Sequence, residues 1–382
     1  MPFATTDPPM ERARLVAAHL DGLYSITELA ARFGVSRPTV YKWVERYRTG
    51  GLDALADRSS VARTQPGRAP AEIEAVIVAC REAHPHWGPR KLLLYLARRY
   101  PDLTLPAPST AGAILARHGL TKKRRPRRPP KHPGSVPLIA VHPNAVWTAD
   151  YKGQFRMGDG ALCYPLTVCD AHSRYVLSCH GLPSVEQYAA LRHFETLFRE
   201  YGLPTAIRSD NGTPFATQAI CGLSRLSVWW IKLGIDHQRI TPGQPQENGA
   251  HERMHKTLKA ECARPPERDM GRQQARFDRW RDEFNADRPH DALSGAVPAD
   301  RYAPSERPMP DVLPSPDYPG HFEVRYVSRD GAIRLKKHQV FVSQALGGEQ
   351  VGLEEVEDGV WSVSFYDRLL ARLDERTWKL SA

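Results

Sequence analysis

The spacing of hydrophobic residues divides the chain into a helical first third and a mixed remainder. In the first third, apolar residues recur every three or four positions, as they do on the buried face of a helix. Helices are predicted at 26–33, 37–48, 71–83, 88–99 and 109–118. From residue 144 onward, short runs alternate between apolar and polar residues, which is typical of half-buried strands. The pattern therefore predicts a multidomain α+β protein.

Strands and helices are interspersed between residues 144 and 305. Strands are predicted at 146–155, 161–169, 175–180, 206–210 and 235–239, and helices at 184–201, 223–233 and from Gly249. Trp147, Ala149, Tyr151 and Phe155 are expected on one face of the first strand. Ser184 begins a capping-box pattern and is expected to start its helix. This order predicts a mixed sheet surrounded by helices.

The first two helices have the plan of a helix-turn-helix, within a domain at 1–60. Gly34 suits the tight turn between them, and Ser36 is a candidate N-cap for the second helix. The second helix of such a pair enters the DNA major groove. Its polar groups are therefore predicted DNA contacts, namely Arg37, Thr39, Tyr41 and Lys42. An ordinary helical hairpin that binds nothing is the alternative.

A second helical domain is predicted at 61–121, with Ser109 as a candidate N-cap. It is either another helix-turn-helix or winged-helix-like module, or a purely structural bundle. Residues 122–131 follow with seven basic residues, three prolines and no apolar residue. Such a run cannot form a core, so 122–143 is predicted to be a basic linker that contacts DNA. Its predicted DNA contacts are Lys122, Lys123, Arg124, Arg125, Arg127 and Arg128.

Composition narrows the class of protein. The 382 residues suggest two or three domains at about 150 residues each. The net charge of +10 favours a polyanionic partner, although a basic protein without such a partner has the same balance. No apolar run approaches the roughly 18–20 residues of a membrane span, and no secretory signal is apparent. Six cysteines without CxxC pairs argue against a disulfide scaffold, so a cytoplasmic protein is expected.

Three acidic residues occupy positions where they could converge. Asp150 lies within the first strand, Asp210 ends a later strand, and Glu252 lies on the helix from Gly249. At helical spacing, Glu252, His255, Lys256 and Lys259 are expected to share one face. The opposite face would pack on the sheet through Ala250, Met254 and Leu258. On an isolated helix, the simpler interpretation is an exposed glutamate with lysine neighbours.

These residues stand in segments that resemble the integrase-core transposases of bacterial insertion sequences, which are related to retroviral integrases. The resemblance rests on Trp-Thr-Ala-Asp at 147–150, Arg-Ser-Asp-Asn-Gly-Thr-Pro-Phe at 208–215 and Gly-Gln-Pro-Gln-Glu-Asn-Gly-Ala-His-Glu-Arg at 243–253. It continues through Leu-Lys-Ala-Glu at 258–261 and Phe-Asn-Ala-Asp-Arg-Pro-His at 284–290. The N-terminal helix-turn-helix and the basic linker match the same group.

The resemblance implies a ribonuclease-H-like core at 144–305 with a DDE triad of Asp150, Asp210 and Glu252. These carboxylates would hold two Mg²⁺ ions, for which Mn²⁺ can substitute, and the ions would assist in-line attack on phosphorus. Lys256 and Lys259 would contact DNA phosphates, and His255 and Asn248 would position the substrate. The implied partners are double-stranded DNA of the element ends and the target, bound by a homo-oligomer in the bacterial nucleoid.

Several alternatives stay open at this stage. Glu247 competes with Glu252, which is favoured because it lies on a helix and not in a turn-rich segment. The 41 residues between Asp210 and Glu252 are more than is usual in the family. Two rival functions are possible: a ribonuclease-H-like nuclease, and a non-enzymatic DNA-binding regulator derived from a transposase. Beyond a proline-rich linker at 306–317, short strands predict a small β-barrel at 318–382, for DNA binding or for assembly.

Overall fold

A computed structural model describes residues 7–57, 68–121, 140–217, 222–241 and 244–381. The chain forms two compact units, Met1–Arg68 and Ala69–Ala382. Among the described helices, none is long and apolar enough to cross a membrane. The basic run at 122–131, with its six predicted DNA contacts, lies outside the described residues.

The first unit has the predicted helix-turn-helix. Helices α1 (Pro8–Leu20), α2 (Ile26–Arg32) and α3 (Arg37–Gly50) are followed by a 3₁₀ turn at Leu52–Leu55. Val40 and Trp43 of α3 are buried against α1 and α2. Gly34 turns the chain between α2 and α3 at φ +63°, a backbone conformation that favours glycine. Ser36 is the N-cap of α3, but its hydroxyl bonds to the Thr39 hydroxyl at 2.9 Å and not to a backbone N–H.

The second helical domain belongs to the larger unit. Helices α4 (Ala71–Ala83), α5 (Pro89–Arg99) and α6 (Pro108–Arg117) enclose a core around Trp87. The predicted N-cap at Ser109 is wrong, because Ala107 occupies that position and the helix begins at Pro108. Arg98 of α5 pairs with Asp300 at 2.9 Å, which ties this domain to the end of the α/β core.

The core contains the predicted mixed sheet. Its strands are β1 (Val146–Tyr151), β2 (Phe155–Arg156), β3 (Leu162–Asp170), β4 (Val176–Leu182), β5 (Ala206–Ser209) and β6 (Asp236–Arg239). The main order is β4-β3-β1-β5-β6. Strand β1 is antiparallel to β3 and parallel to β5, and β5 is parallel to β6. The first strand is shorter than predicted, so Phe155 belongs to β2 and packs in a different cluster from Trp147 and Ala149.

Helices cover both faces of this sheet. On one face, α7 (Gln187–Tyr201) and α8 (Arg225–Lys232) pack on Trp147 and Ala149. On the other, α9 (Gly249–Cys262) and α10 (Met270–Ala286) pack on Cys169 and Val176. The predicted capping box at Ser184 is wrong, because α7 begins at Gln187 after the N-cap Glu186. The structure instead forms a capping box at the start of α8, between Ser224 and Ser227.

The last part of the chain is a sheet that packs on α8. Its strands are β7 (Glu323–Tyr326), β8 (Ala332–Leu335), β9 (His338–Phe341), β10 (Gln350–Glu357), β11 (Val360–Phe365), β12 (Arg368–Asp374) and β13 (Lys379–Ser381). Five of them follow the order β13-β12-β11-β10-β7, while β8 and β9 form a separate pair. Within the described residues this pairing does not close, so the predicted barrel is not confirmed. Val228 and Ile231 of α8 are buried with this sheet.

The segment predicted as a second linker is packed on the core. Residues 306–317 form no helix or strand, as expected. The Arg307 guanidinium nevertheless donates to the carbonyls of Pro204 at 3.0 Å and Leu233 at 3.1 Å. Met309 and Leu313 pack against the cluster around α7 and α8. The segment therefore joins the C-terminal sheet to the core through fixed contacts.

Candidate functional site

Asp150 lies near the end of β1, in the centre of the sheet. Its neighbours in the sheet are Thr167 of antiparallel β3 and the end of parallel β5. About a fifth of its side chain (22%) is exposed. Because β1 is paired on both sides, its backbone is fixed. The Asp150 carboxylate therefore has a defined position at the end of the sheet where β1 terminates.

Asp210 directly follows β5, at the edge where parallel β1 also ends. Its Oδ1 accepts a hydrogen bond from the Gly212 N–H at 3.1 Å. A Cβ added at Gly212 would lie 3.1 Å from Asp210 Oδ2, so a side chain there would press on the carboxylate. The Asn211 amide donates to the Ile240 carbonyl at 2.8 Å and anchors the same turn. The Ser-Asp-Asn-Gly sequence thus builds a turn that presents Asp210.

Helix α9 presents Glu252 to solvent and two histidines to the sheet. Glu252, Lys256 and Lys259 are exposed, as predicted. His255 was expected on the same face, and this is wrong, since its residue exposure is 5% and His251 is also buried. His251 and His255 lie three or four positions from Met254 and Leu258, on the same buried face of the helix. The buried face of α9 therefore contains a stripe of polar residues.

The buried histidines converge on one threonine hydroxyl. Thr167 Oγ1 donates to the Asp150 carbonyl at 2.9 Å, and it lies 2.7 Å from Nε2 of both His251 and His255. A hydroxyl has one proton, so both imidazoles donate from Nε2 to this oxygen. His251 Nδ1 then accepts from the Thr148 hydroxyl at 2.8 Å. Burial lowers the pKa of His251 to about 3 and that of His255 to about 2, so both rings are neutral.

His255 Nδ1 is left facing Asp150 Oδ2 at 3.6 Å. In this tautomer both atoms are acceptors, and they gain a favourable interaction only when a proton or a cation lies beside them. Burial raises the pKa of Asp150 to about 7, and the charges of Asp210 and then Glu252 add to the effect, while Lys152 opposes it. The surroundings of Asp150 therefore disfavour its bare negative charge.

The donor atoms around Asp150 could hold a cation. One oxygen of Asp150 and one ring nitrogen each of His251 and His255 lie within 4.8 Å of one another. Among the described residues, no group this tight includes Asp210 or Glu252. These two carboxylates still act on Asp150 through their charge. The arrangement is one close cluster with two further carboxylates near it.

The remaining predicted residues fall into three groups. Arg37, Tyr41 and Lys42 are exposed on α3, with Thr39 half-buried beside Ser36. Asn248 is buried immediately before α9, so it offers little surface to DNA. Glu247 is half-buried, and its carboxylate accepts the Thr241 N–H at 3.0 Å, which engages it in a local turn.

The buried half of the site was not predicted from the sequence. Residues 251–255 read His-Glu-Arg-Met-His, and histidines four apart on a helix share one face, as in zinc peptidases. That spacing indicates a paired role for His251 and His255. Here three of the four ring nitrogens bond to threonine hydroxyls, which differs from an open zinc site. Thr167 carries no signal of its own in the sequence.

Known proteins match the same parts of the chain. Residues 140–245 and 233–298 each match an integrase core domain, residues 11–63 a helix-turn-helix domain and residues 39–115 a homeodomain-like domain. An uncharacterized 31.7 kDa protein of insertion element IS407 from Burkholderia multivorans is 27% identical over 174 residues, which cover 44% of this chain and 59% of that protein. An uncharacterized 39.2 kDa protein of IS476 from Xanthomonas euvesicatoria is 25% identical over 281 residues, covering 72% and 76%.

Among solved structures, the catalytic core domain of HTLV-2 integrase in complex with magnesium is similar with a TM-score of 0.35 and 16% identity. That similarity covers 43% of this chain and all of that domain. The two integrase-core matches include Asp150, Asp210 and Glu252, and the insertion-element relatives extend over much of the chain. The chain therefore has an integrase core domain and, toward its N-terminal end, helix-turn-helix domains, and it is similar to proteins of bacterial insertion elements.

Proposed function

We propose that this protein is a DNA transposase that cleaves and joins DNA strands at a metal site formed by Asp150, Asp210 and Glu252. The observation that carries the proposal is the position of Asp150 near the end of β1 and of Asp210 directly after parallel β5, with Glu252 exposed on α9. Burial and the charges of the other two carboxylates raise the pKa of Asp150 and so favour its neutral form. Acidic groups brought together at this cost are typical of sites that hold cations.

The residues present suit Mg²⁺. This ion prefers oxygen ligands and keeps several waters, so it requires few carboxylates. Asp150, Asp210 and Glu252 would hold two Mg²⁺, or Mn²⁺ in their place, and the ions would supply charge stabilisation for the attacking and leaving oxygens. Glu252 is the third carboxylate in this proposal because its charge acts on Asp150, whereas Glu247 is engaged by Thr241.

The chain's own residues position these groups. Thr167 binds the Asp150 carbonyl and both histidines, so strand β1 and helix α9 are joined beneath the carboxylates. Lys256 and Lys259 lie exposed on α9 and would bind DNA phosphates beside Glu252. His255 is a positioning residue for Asp150 in this scheme, and the predicted DNA contact through His255 is replaced by that role.

The helix-turn-helix would recognise the terminal inverted repeats of the element. Arg37, Tyr41 and Lys42 are exposed on α3, the helix expected in the major groove. Lys42 also lies 5.2 Å from the centre of the Trp43 ring, and Trp43 is anchored in the core of the first unit. Because two DNA ends must be joined, we expect a homo-oligomer on paired ends, acting in the cytoplasm at the nucleoid.

A strand-transfer assay tests the proposal directly. The full chain is incubated with Mg²⁺ and duplex oligonucleotides that carry the ends of its element, and cleaved and joined products are separated on a denaturing gel. Asp150→Asn, Asp210→Asn and Glu252→Gln should each abolish products while duplex binding persists. Glu247→Gln is the matched control and should retain activity.

Two outcomes contradict parts of the proposal. Activity in Glu252→Gln with loss in Glu247→Gln would move the third carboxylate to Glu247. Sequence-specific binding by the wild-type chain without any metal-dependent cleavage or joining would favour the rival function, a DNA-binding regulator derived from a transposase.

A further inference from the structure

A cavity of about 130 Å³ lies between the second helical domain and the core. Its walls come from α5, the turn between β3 and β4, helix α9 and the segment after α10. Each wall contributes a basic side chain, and these are Lys91, Arg174, Arg253 and Arg288, with His290 beside them. The cavity is distinct from the carboxylate cluster, although His251 lines both.

Most of the cations in this cavity have no ion-pair partner among the described residues. In the described part of the chain, no carboxylate lies within 4.0 Å of the charged groups of Lys91, Arg174 or Arg253, whereas Arg288 pairs with Glu261 at 2.9 Å. Asp170 is the one acidic residue among the described lining residues. Its Oδ1 accepts the Asn144 N–H at 2.8 Å and its Oδ2 accepts the Ser173 N–H at 2.7 Å. Both carboxylate oxygens of Asp170 are therefore engaged by backbone N–H groups and not by the cations.

His290 shows that the cations converge. Its pKa is lowered to about 3 by burial first, and then by the charges of Lys91, Arg288 and Arg174. Its Nε2 is buried without a hydrogen-bond partner, which is unfavourable for a polar group. Arg174 is held at φ +65°, a backbone conformation unusual for a residue with a side chain. Such unsatisfied and strained groups tend to occur at ligand sites.

We propose that this cavity binds one phosphodiester group of the DNA strand on which the carboxylate site acts. Guanidinium and ammonium groups form short charge-assisted hydrogen bonds with phosphate oxygens. The neutral His290 ring can donate from Nε2 to the same group. This inference rests on the proposed transposase function, because it takes the strand at Asp150 as the source of the phosphate.

The position of the cavity predicts which phosphate is bound. Thr148 lines the cavity and precedes Asp150 by two residues on the same strand. Two residues of a strand span about 7 Å. One DNA strand rises about 3.4 Å per nucleotide along the duplex axis, and neighbouring phosphates are at least that far apart. The bound phosphate is therefore within about two nucleotides of the reacting one. Because Lys91 belongs to α5, the phosphate would also fasten the second helical domain to the core.

Binding of an element-end duplex to the full chain tests this inference. The double variant Lys91→Gln/Arg253→Gln should lower the slope of log affinity against log salt by about 1. Arg192→Gln is the matched control, since it removes an exposed charge from α7 on the opposite face of the sheet. It should leave the slope within error of the wild type. Thermal unfolding of each variant verifies that the fold is retained.

A scan with single methylphosphonate linkages, which carry no charge, then locates the phosphate. One linkage within about two nucleotides of the cleavage position should weaken wild-type binding about 10-fold and leave the double variant unaffected. If every linkage weakens both proteins equally, or the double variant keeps the wild-type slope, the cavity does not hold a phosphate. Because both readouts measure binding alone, a chain that shows them but joins no strands with Mg²⁺ would retain the phosphate site while refuting the transposase proposal.

Discussion

Replacing Asp150 by Asn should stabilise the metal-free protein above neutral pH. The pKa of Asp150 is raised from its usual value of 3.8 to about 7 in the folded chain, chiefly by burial and then by Asp210. Between these pH values the folded state retains a proton that the unfolded state has released. The free energy of unfolding therefore falls as pH rises from about 4 to about 7, and is level above that range.

The magnitude follows from the size of this difference. One pKa unit corresponds to 1.36 kcal/mol, so a difference of about three units corresponds to about 4 kcal/mol of lost stability at pH 8. At pH 5 the same reasoning gives about 1–2 kcal/mol. Asn keeps the shape of Asp without its charge. Its amide N–H can also donate to His255 Nδ1, which faces position 150 across 3.6 Å.

Urea unfolding in EDTA at pH 5 and pH 8 measures this effect. Asp150→Asn should gain about 4 kcal/mol over the wild type at pH 8 and clearly less at pH 5. Asp311→Asn is the matched control, because its side chain is 96% exposed, and it should change stability by less than about 0.5 kcal/mol. Adding Mg²⁺ at pH 8 should stabilise the wild type more than the variant. A gain that is absent at pH 8, or equal at both pH values, would refute the electrostatic argument.

Two further pairs of substitutions separate folding from function. Thr167→Val keeps the shape of a fully buried side chain but leaves its polar partners unpaired, so it should lower the free energy of unfolding by about 2–5 kcal/mol in urea. Thr167→Ser should lose under about 1.5 kcal/mol, and equal losses in both would show that the hydroxyl is unimportant. Trp43→Ala should unfold the first unit, at a cost of about 3–5 kcal/mol, and abolish terminal-repeat binding. Tyr41→Ala, at a 60% exposed position, should weaken binding with circular dichroism unchanged, and a helix signal retained in Trp43→Ala would contradict the expectation.

The elements that depend on local pattern were predictable from the sequence. Alternation located β1, β3 and β5, and helical periodicity located α3, α4 and α9, because each buries one face against a core. Capping was less predictable. Ser184 and Ser109 have the right residue type, but their helices begin at Gln187 and Pro108, where the chain meets the sheet or a proline fixes the first turn.

The packing between distant segments was not predictable in the same way. Residues 306–317 have the composition of a linker, yet Arg307 bonds to the Pro204 carbonyl, about a hundred residues away in sequence. Whether the C-terminal strands close into a barrel likewise depends on pairing between strands that are distant in sequence. Val228 of α8 is buried with these strands, so α8 covers one face of the sheet. No local pattern contains such contacts.

The buried histidines explain how α9 can be both a core helix and the carrier of the exposed carboxylate of Glu252. Apolar packing through Met254 and Leu258 alone fixes the rotation of α9 about its axis only loosely, since apolar contacts are not directional and tolerate small rotations of a helix. The bonds of His251 and His255 to Thr167 are directional, so they hold one rotation. A turn of 100°, one residue position, would carry Glu252 away from Asp150 and bury an unpaired group. Each bond adds only about 1 kcal/mol to stability, so the main effect of this polar stripe is to set where Glu252 points.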